Sequence, residues 1–119
     1  MYPGGRSNEE SEGQPEYKKI VYHPQALDEL IEAAQFYESR CDGLGTRFIE
    51  SIEKGVEFIQ GNPLLFSADE LGRRKYITKR FPYLLIYKVK EDCIFILAVA
   101  HGKRKPGYWE SRDDVLAMS

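Results

Sequence analysis

Cysteine is scarce in this chain: Cys41 and Cys93 are the only two in 119 residues, and no CxxC pair occurs. That excludes a disulfide framework and fits a reducing compartment. Histidine is equally rare, and His23, His101, Cys41 and Cys93 have none of the close paired spacings of zinc sites, so no metal is expected. Long apolar runs are missing as well. The longest, residues 82–87 and 93–100, fall far short of the roughly 20 residues a membrane helix needs. Residues 1–14 carry Glu9, Glu10 and Glu12 without an apolar stretch, which is unlike a secretory signal, and the expected location is the cytoplasm. There is no phosphate-binding glycine loop, dinucleotide fingerprint, GxSxG elbow or HExxH, so no cofactor is expected.

What is present suits one soluble globular domain: 42% hydrophobic and 13% aromatic residues, enough for a core. The net charge of −2 hides a division. Residues 1–72 hold six basic and fourteen acidic side chains, whereas residues 73–112 hold eleven and three, balances of −8 and +8. Such segregation points to a face that binds nucleic acid or an acidic partner, or to a solvated basic strand pair balanced by acidic helices.

Residues 1–15 lack hydrophobic periodicity and read as a disordered tail. The domain spans 16–112, and 113–119 form an acidic tail. Residues 17–22 read as a strand stopped by His23-Pro24. Leu27, Leu30, Ile31, Ala34 and Tyr37 follow a helical period over Pro24–Arg40, with Asp28, Glu29, Glu32 and Glu38 on the other side. A turn at 41–45 leads to a second periodic set, Phe48, Ile49, Ile52, Val56 and Ile59, closed by Gly61-Asn62-Pro63. Strands at 73–79, 82–90 and 93–101 follow, the last two joined by Glu91-Asp92 as a hairpin. The run from Cys93 to Ala100 shows no polar alternation, as in a central strand covered on both faces. The order is β-α-α-β-β-β, an α+β fold with a helical hairpin on one face of a mostly antiparallel sheet.

The Cys93–His101 pair lies at the two ends of one strand, about 25 Å apart, too far for a nucleophile and its base. Glu29, Glu32 and Glu50 could pair as catalytic carboxylates, but charge on the outer face of a helix is more often solvation. The unusual cluster is His101-Gly-Lys-Arg-Lys-Pro-Gly-Tyr-Trp109. Beside Arg73, Arg74, Lys75, Lys79 and Arg80 it could neutralise phosphates while Tyr108 and Trp109 stack on bases. His101 or Tyr108 could then move a proton while Arg104 stabilises developing charge; alternatively Trp109 and Tyr108 fold back to cap the core.

The strand-helix-helix-three-strand order, the Gly-Leu-Gly turn, the Asn62-Pro63 stop, the run Arg73, Arg74, Phe81, Pro82, Tyr83, Tyr87, and the terminal Ala-Val-Ala-His-Gly-Lys-Arg-Lys-Pro-Gly-Tyr-Trp together resemble the RelE/ParE toxin superfamily, particularly its plasmid stabilisation proteins. The resemblance covers residues 17–112. It implies the toxin of a type II toxin-antitoxin module, neutralised by a cognate antitoxin. RelE-like members cleave messenger RNA on the ribosome without a metal; ParE-like members bind DNA gyrase and carry no catalysis. By position Arg104 matches the basic residue after the last strand of the ribonuclease members and Tyr108 lies near their C-terminal tyrosine, so with His101 these are the expected catalytic residues if the chain is a ribonuclease; Arg73, Arg74, Lys79, Arg80, Lys103, Lys105 and Trp109, from the basic strand and the terminal cluster, are the expected contacts to nucleic acid or another target. Where the ribonucleases carry an arginine after the central-strand aromatic, Leu84 follows Tyr83, and leucine stabilises no developing charge. The departure favours the ParE-like reading over RelE-like cleavage, with a non-toxic interaction module as a further alternative.

Overall fold

The computed structural model describes residues 18–112, so the expected tails at 1–15 and 113–119 lie outside the described residues. In chain order the elements are β1 (Lys19–Tyr22), α1 (Pro24–Arg40), α2 (Leu44–Gly61), β2 (Arg73–Ile77), β3 (Tyr83–Val89) and β4 (Cys93–His101), followed by a short 3-10 turn at Glu110–Arg112. The α+β order is the one the sequence predicts, and among the described residues no helix is long and apolar enough to cross a membrane.

The first helix starts where it does because His23 and Pro24 cooperate. The His23 Nδ1 accepts from the Gln25 N–H at 3.0 Å, and Pro24 needs no hydrogen-bond partner for its nitrogen in the first turn. The second helix has only Gly43 at its cap, in left-handed backbone with φ 85°. Its orphan donors are met from α1: the Glu38 carboxylate accepts from the Gly43 and Gly45 N–H groups, each at 2.9 Å. Those bonds hold Glu38 below the ordinary glutamate pKa. Gly45 is required by contact, since a Cβ there would lie 2.5 Å from the Ala34 carbonyl oxygen.

The buried face of α1 differs from the one the periodicity predicts. Leu27 and Ile31 are 43% and 46% exposed, while Ala26, Ala33 and Ala34 are buried with Leu30 and Tyr37 packed beside them. The helix lies against both α2 and β4, and close approach selects small side chains at the contact and leaves the large ones on its flank.

The sheet order is β1-β4-β3-β2, with β1 parallel to β4 and the other pairs antiparallel. Cys93 to Ala100 is buried throughout, as expected for an interior strand. The register between β3 and β4 slips after Ile86↔Ala98 to Tyr87↔Ile96, leaving Leu97 without an opposite residue. This bulge reverses which side chains face the helices. Ile94, Ile96 and Val99 join Phe48, Ile52, Ile59, Leu85 and Tyr87 in the helix-side core. Phe95, Leu97, Ala98 and Ala100 turn to the far face and form a second core with Ile86 and Trp109.

Candidate functional site

Residues 102–112, hereafter the strap, fold back over the far face of the sheet. His101 closes β4 opposite Tyr83, and its ring meets the Tyr83 ring edge-on at 5.1 Å between centroids. The Gly102 N–H then donates to the Pro82 carbonyl at 2.7 Å, and the His101 Nδ1 accepts from the Lys103 N–H at 3.0 Å. Lys103 and Lys105 are exposed.

The strap is fastened to Glu29 of α1. The β1 strand ends at Tyr22, and the His23 N–H makes the last bond on that side, to Ile96 at 2.9 Å. Beyond it, side chains take the place of a neighbouring strand. The Glu29 Oε1 accepts from the Val99 N–H at 3.0 Å, and the Arg112 Nη1 donates to the bulged Leu97 carbonyl at 2.9 Å. The two side chains are themselves paired, Arg112 Nη2 to Glu29 Oε2 at 2.9 Å, with Arg112 only 6% exposed. Arg104 approaches the same carboxylate at 3.5 Å while its guanidinium lies 3.6 Å from the Tyr108 ring centre. The Arg112 guanidinium is 4.9 Å from that centre.

The knot fixes the chemistry of its members. Burial first, and the neighbouring Glu29 carboxylate second, push the Tyr108 pKa far above 10, and the hydroxyl is buried without a partner at hydrogen-bonding geometry. Burial and then the Arg112 charge lower the His23 pKa, so its ring is neutral at pH 7. The expected stacking face of Trp109 is absent: the side chain is 6% exposed and lies in the far-side core, because a sheet with only one helical layer needs an apolar cover for its other face.

The remaining predicted contacts divide. Arg73 and Arg74 lie at the far end of β2, paired with Lys88 and Tyr87 of β3. Both are tied to the preceding loop: Arg73 Nε donates to Asp69 Oδ2 at 2.9 Å, and Arg74 donates to the Phe66 carbonyl. Lys79 and Arg80 sit at the opposite end, in the turn between β2 and β3. Thr78 follows β2 there, its hydroxyl donating to the Phe81 or Tyr83 carbonyl, each at 2.9 Å, and the Ser51 hydroxyl fastens the Lys79 carbonyl to α2 at 2.9 Å. Arg80 adopts φ 75°, left-handed backbone unusual for a residue with a Cβ.

Between this turn and α2 lies a cleft of about 590 Å³, lined by Arg47, Lys54, Lys79 and Arg80 together with Tyr76 and Phe81. Sequence reasoning missed Arg47 and Lys54. Their spacing, with Ser51 between them at i, i+4 and i+7, is the signal of one helix face. It also missed Glu29 and Arg112 as a pair, since no local pattern links residues so far apart in the chain.

The family model for the ParE toxin of the type II toxin-antitoxin system parDE matches residues 20–106. Among solved structures, the chromosomal ParDE TA system from P. aeruginosa is similar in fold, at TM-score 0.60 and 18% identity, covering 71% of this chain and 96% of that one. A search of curated protein sequences returns no match.

Proposed function

The chain belongs to the ParE toxin family of type II toxin-antitoxin systems, and from that membership we propose that it acts by binding a target such as DNA gyrase, without cutting RNA, and is held inactive by a cognate antitoxin. One observation carries the non-catalytic reading. Two of the three groups a ribonuclease would use are held at the Glu29 knot: Arg104 faces a carboxylate, and the Tyr108 hydroxyl is buried and far from ionising, while His101 lies outside the knot, edge-on to Tyr83. Leu84, where the resemblance calls for an arginine, packs against the far-side core. The exposed apolar side chains Leu27, Ile31 and Phe36 on α1 suit an amphipathic antitoxin segment that orders as it binds.

Induced expression in bacteria tests the reading, with transcript 5′ ends and DNA topology followed in one culture. Growth arrest with gyrase-dependent DNA breaks and intact transcripts is expected. Cuts within translated codons would establish the RelE-like alternative, and undisturbed growth would leave a non-toxic interaction module. An antitoxin at 1,000 times its dissociation constant should raise the stability of the chain by about 4 kcal/mol. An unchanged melting temperature would remove that partner.

A further inference from the structure

The cleft between α2 and the β2–β3 turn is left unexplained by a knot that absorbs Arg104 and Arg112. Four cations converge on it from two elements, Arg47 and Lys54 from α2, Lys79 and Arg80 from the turn, with Glu50 as the one carboxylate in the lining. Among the described residues none of the four is in an ion pair. The turn that carries two of them is held in place by the Ser51 and Thr78 hydroxyls. The wall is aromatic: Tyr76 and Phe81 line the same cavity, and Gly55 lets the Tyr76 ring lie against α2, where a Cβ would come within 2.7 Å of it.

We propose that this cleft is a nucleotide-phosphate site, in which Arg47, Lys54, Lys79 and Arg80 hold phosphate groups while a base lies against Tyr76 and Phe81. Cavities of this size hold ligands of about nucleotide dimensions. Arg47 and Lys54, seven residues apart on a helix, are separated by about 10 Å along its axis. Linked phosphates, in a nucleoside triphosphate or along a strand, can meet cations at both ends of that span at once, as a single monoanion cannot when the side chains extend from their own turns. The guanidinium fork suits phosphate oxygens, and ring walls favour a planar base over an aliphatic acidic side chain. The shared chemistry, phosphate plus base, comes from either a free nucleotide or a single strand. The site is independent of whether gyrase is the target.

The test titrates the full chain with ATP, octathymidylate and a hexaglutamate peptide, at low and at moderate salt. The site predicts binding of ATP or octathymidylate, weakened by salt, with hexaglutamate at least about tenfold weaker. Arg47→Ala/Lys54→Ala should weaken the bound probe by about tenfold or more and flatten its salt dependence. The charge-matched Lys19→Ala/Lys90→Ala, at the Cys93 end of the sheet and away from the cleft, should change it less than about twofold, and Glu50→Gln should tighten it. Melting temperatures verify that each variant is folded. Binding of ATP identifies a free nucleotide as the source, and binding of octathymidylate alone identifies a strand. Equal or tighter binding of hexaglutamate, binding unaffected by the cleft variant, or no binding of either nucleotide probe would each overturn the site.

Discussion

The two flanks of the helical hairpin use cations in opposite ways. On the α1 flank, Arg112 and Arg104 converge on one carboxylate, replace the missing neighbour of β4, and hold the strap against the sheet. On the α2 flank, Arg47, Lys54, Lys79 and Arg80 meet no acidic partner among the described residues and face an open cleft. The same residue types thus serve folding in one place and remain available to a ligand in the other. What separates Arg112 from the α2-flank cations is burial: a guanidinium at 6% exposure must be paired to be tolerated, whereas an exposed one need not be.

The sharpest way to break the comparison is to remove a charge from each flank. Arg112→Ala leaves Glu29 half-buried and the Leu97 carbonyl without its donor, and should cost about 3–5 kcal/mol in denaturant unfolding. The doubly substituted Glu29→Ala/Arg112→Ala chain should lose less than the sum of the two single losses, since no buried charge is left unpaired and the exposed Arg104 is met by water. Trp109→Ala should cost a similar amount, about 3–5 kcal/mol, by opening a cavity in the far-side core. A Trp109→Ala chain of undiminished stability would restore Trp109 as a surface for a target.

Acid should act on the α1 flank and the hairpin in separate pH ranges. The unfolded chain protonates histidine near pH 6.5, but His23 in the native protein resists protonation, through burial and then the Arg112 charge. Protons therefore favour the unfolded chain as pH falls below about 6.5. His23→Asn, which retains a capping acceptor, should remove that limb of the stability curve. Glu38 has its native pKa lowered, first by the Gly43 N–H. Its contribution is complete above the unfolded value of about 4.3 and disappears as pH falls through the native value. Glu38→Gln should be less stable at pH 7, with the gap closing toward pH 2.

Most of the fold was legible because it depends on local patterns. Pro24 after His23, the Asn62-Pro63 stop and the unbroken apolar run of β4 each act within a few residues. The site was less legible because its partners are distant in sequence. Glu29 reads as one more charge on a helix surface, yet it accepts from Val99, 70 positions away, and that bond exists only because β1 is short. Likewise Arg73 and Lys79 belong to one basic stretch in sequence, but a strand carries them to opposite ends of the sheet.

The smallest expected effect is the most discriminating. Arg47 and Lys54 are exposed, and with no pairing partner their replacement by alanine should change stability by no more than about 0.5 kcal/mol each. Alanine is also the better helix former, which offsets lost stem packing. Arg80→Gly should be similarly mild, because glycine adopts φ 75° without the Cβ penalty but loses more freedom on folding. A loss of several kcal/mol at Arg47 or Lys54 would mean that the α2 flank, like the α1 flank, uses its cations to hold the fold. A silent substitution that abolishes binding would mean that folding does not require these charges and that they act on a ligand.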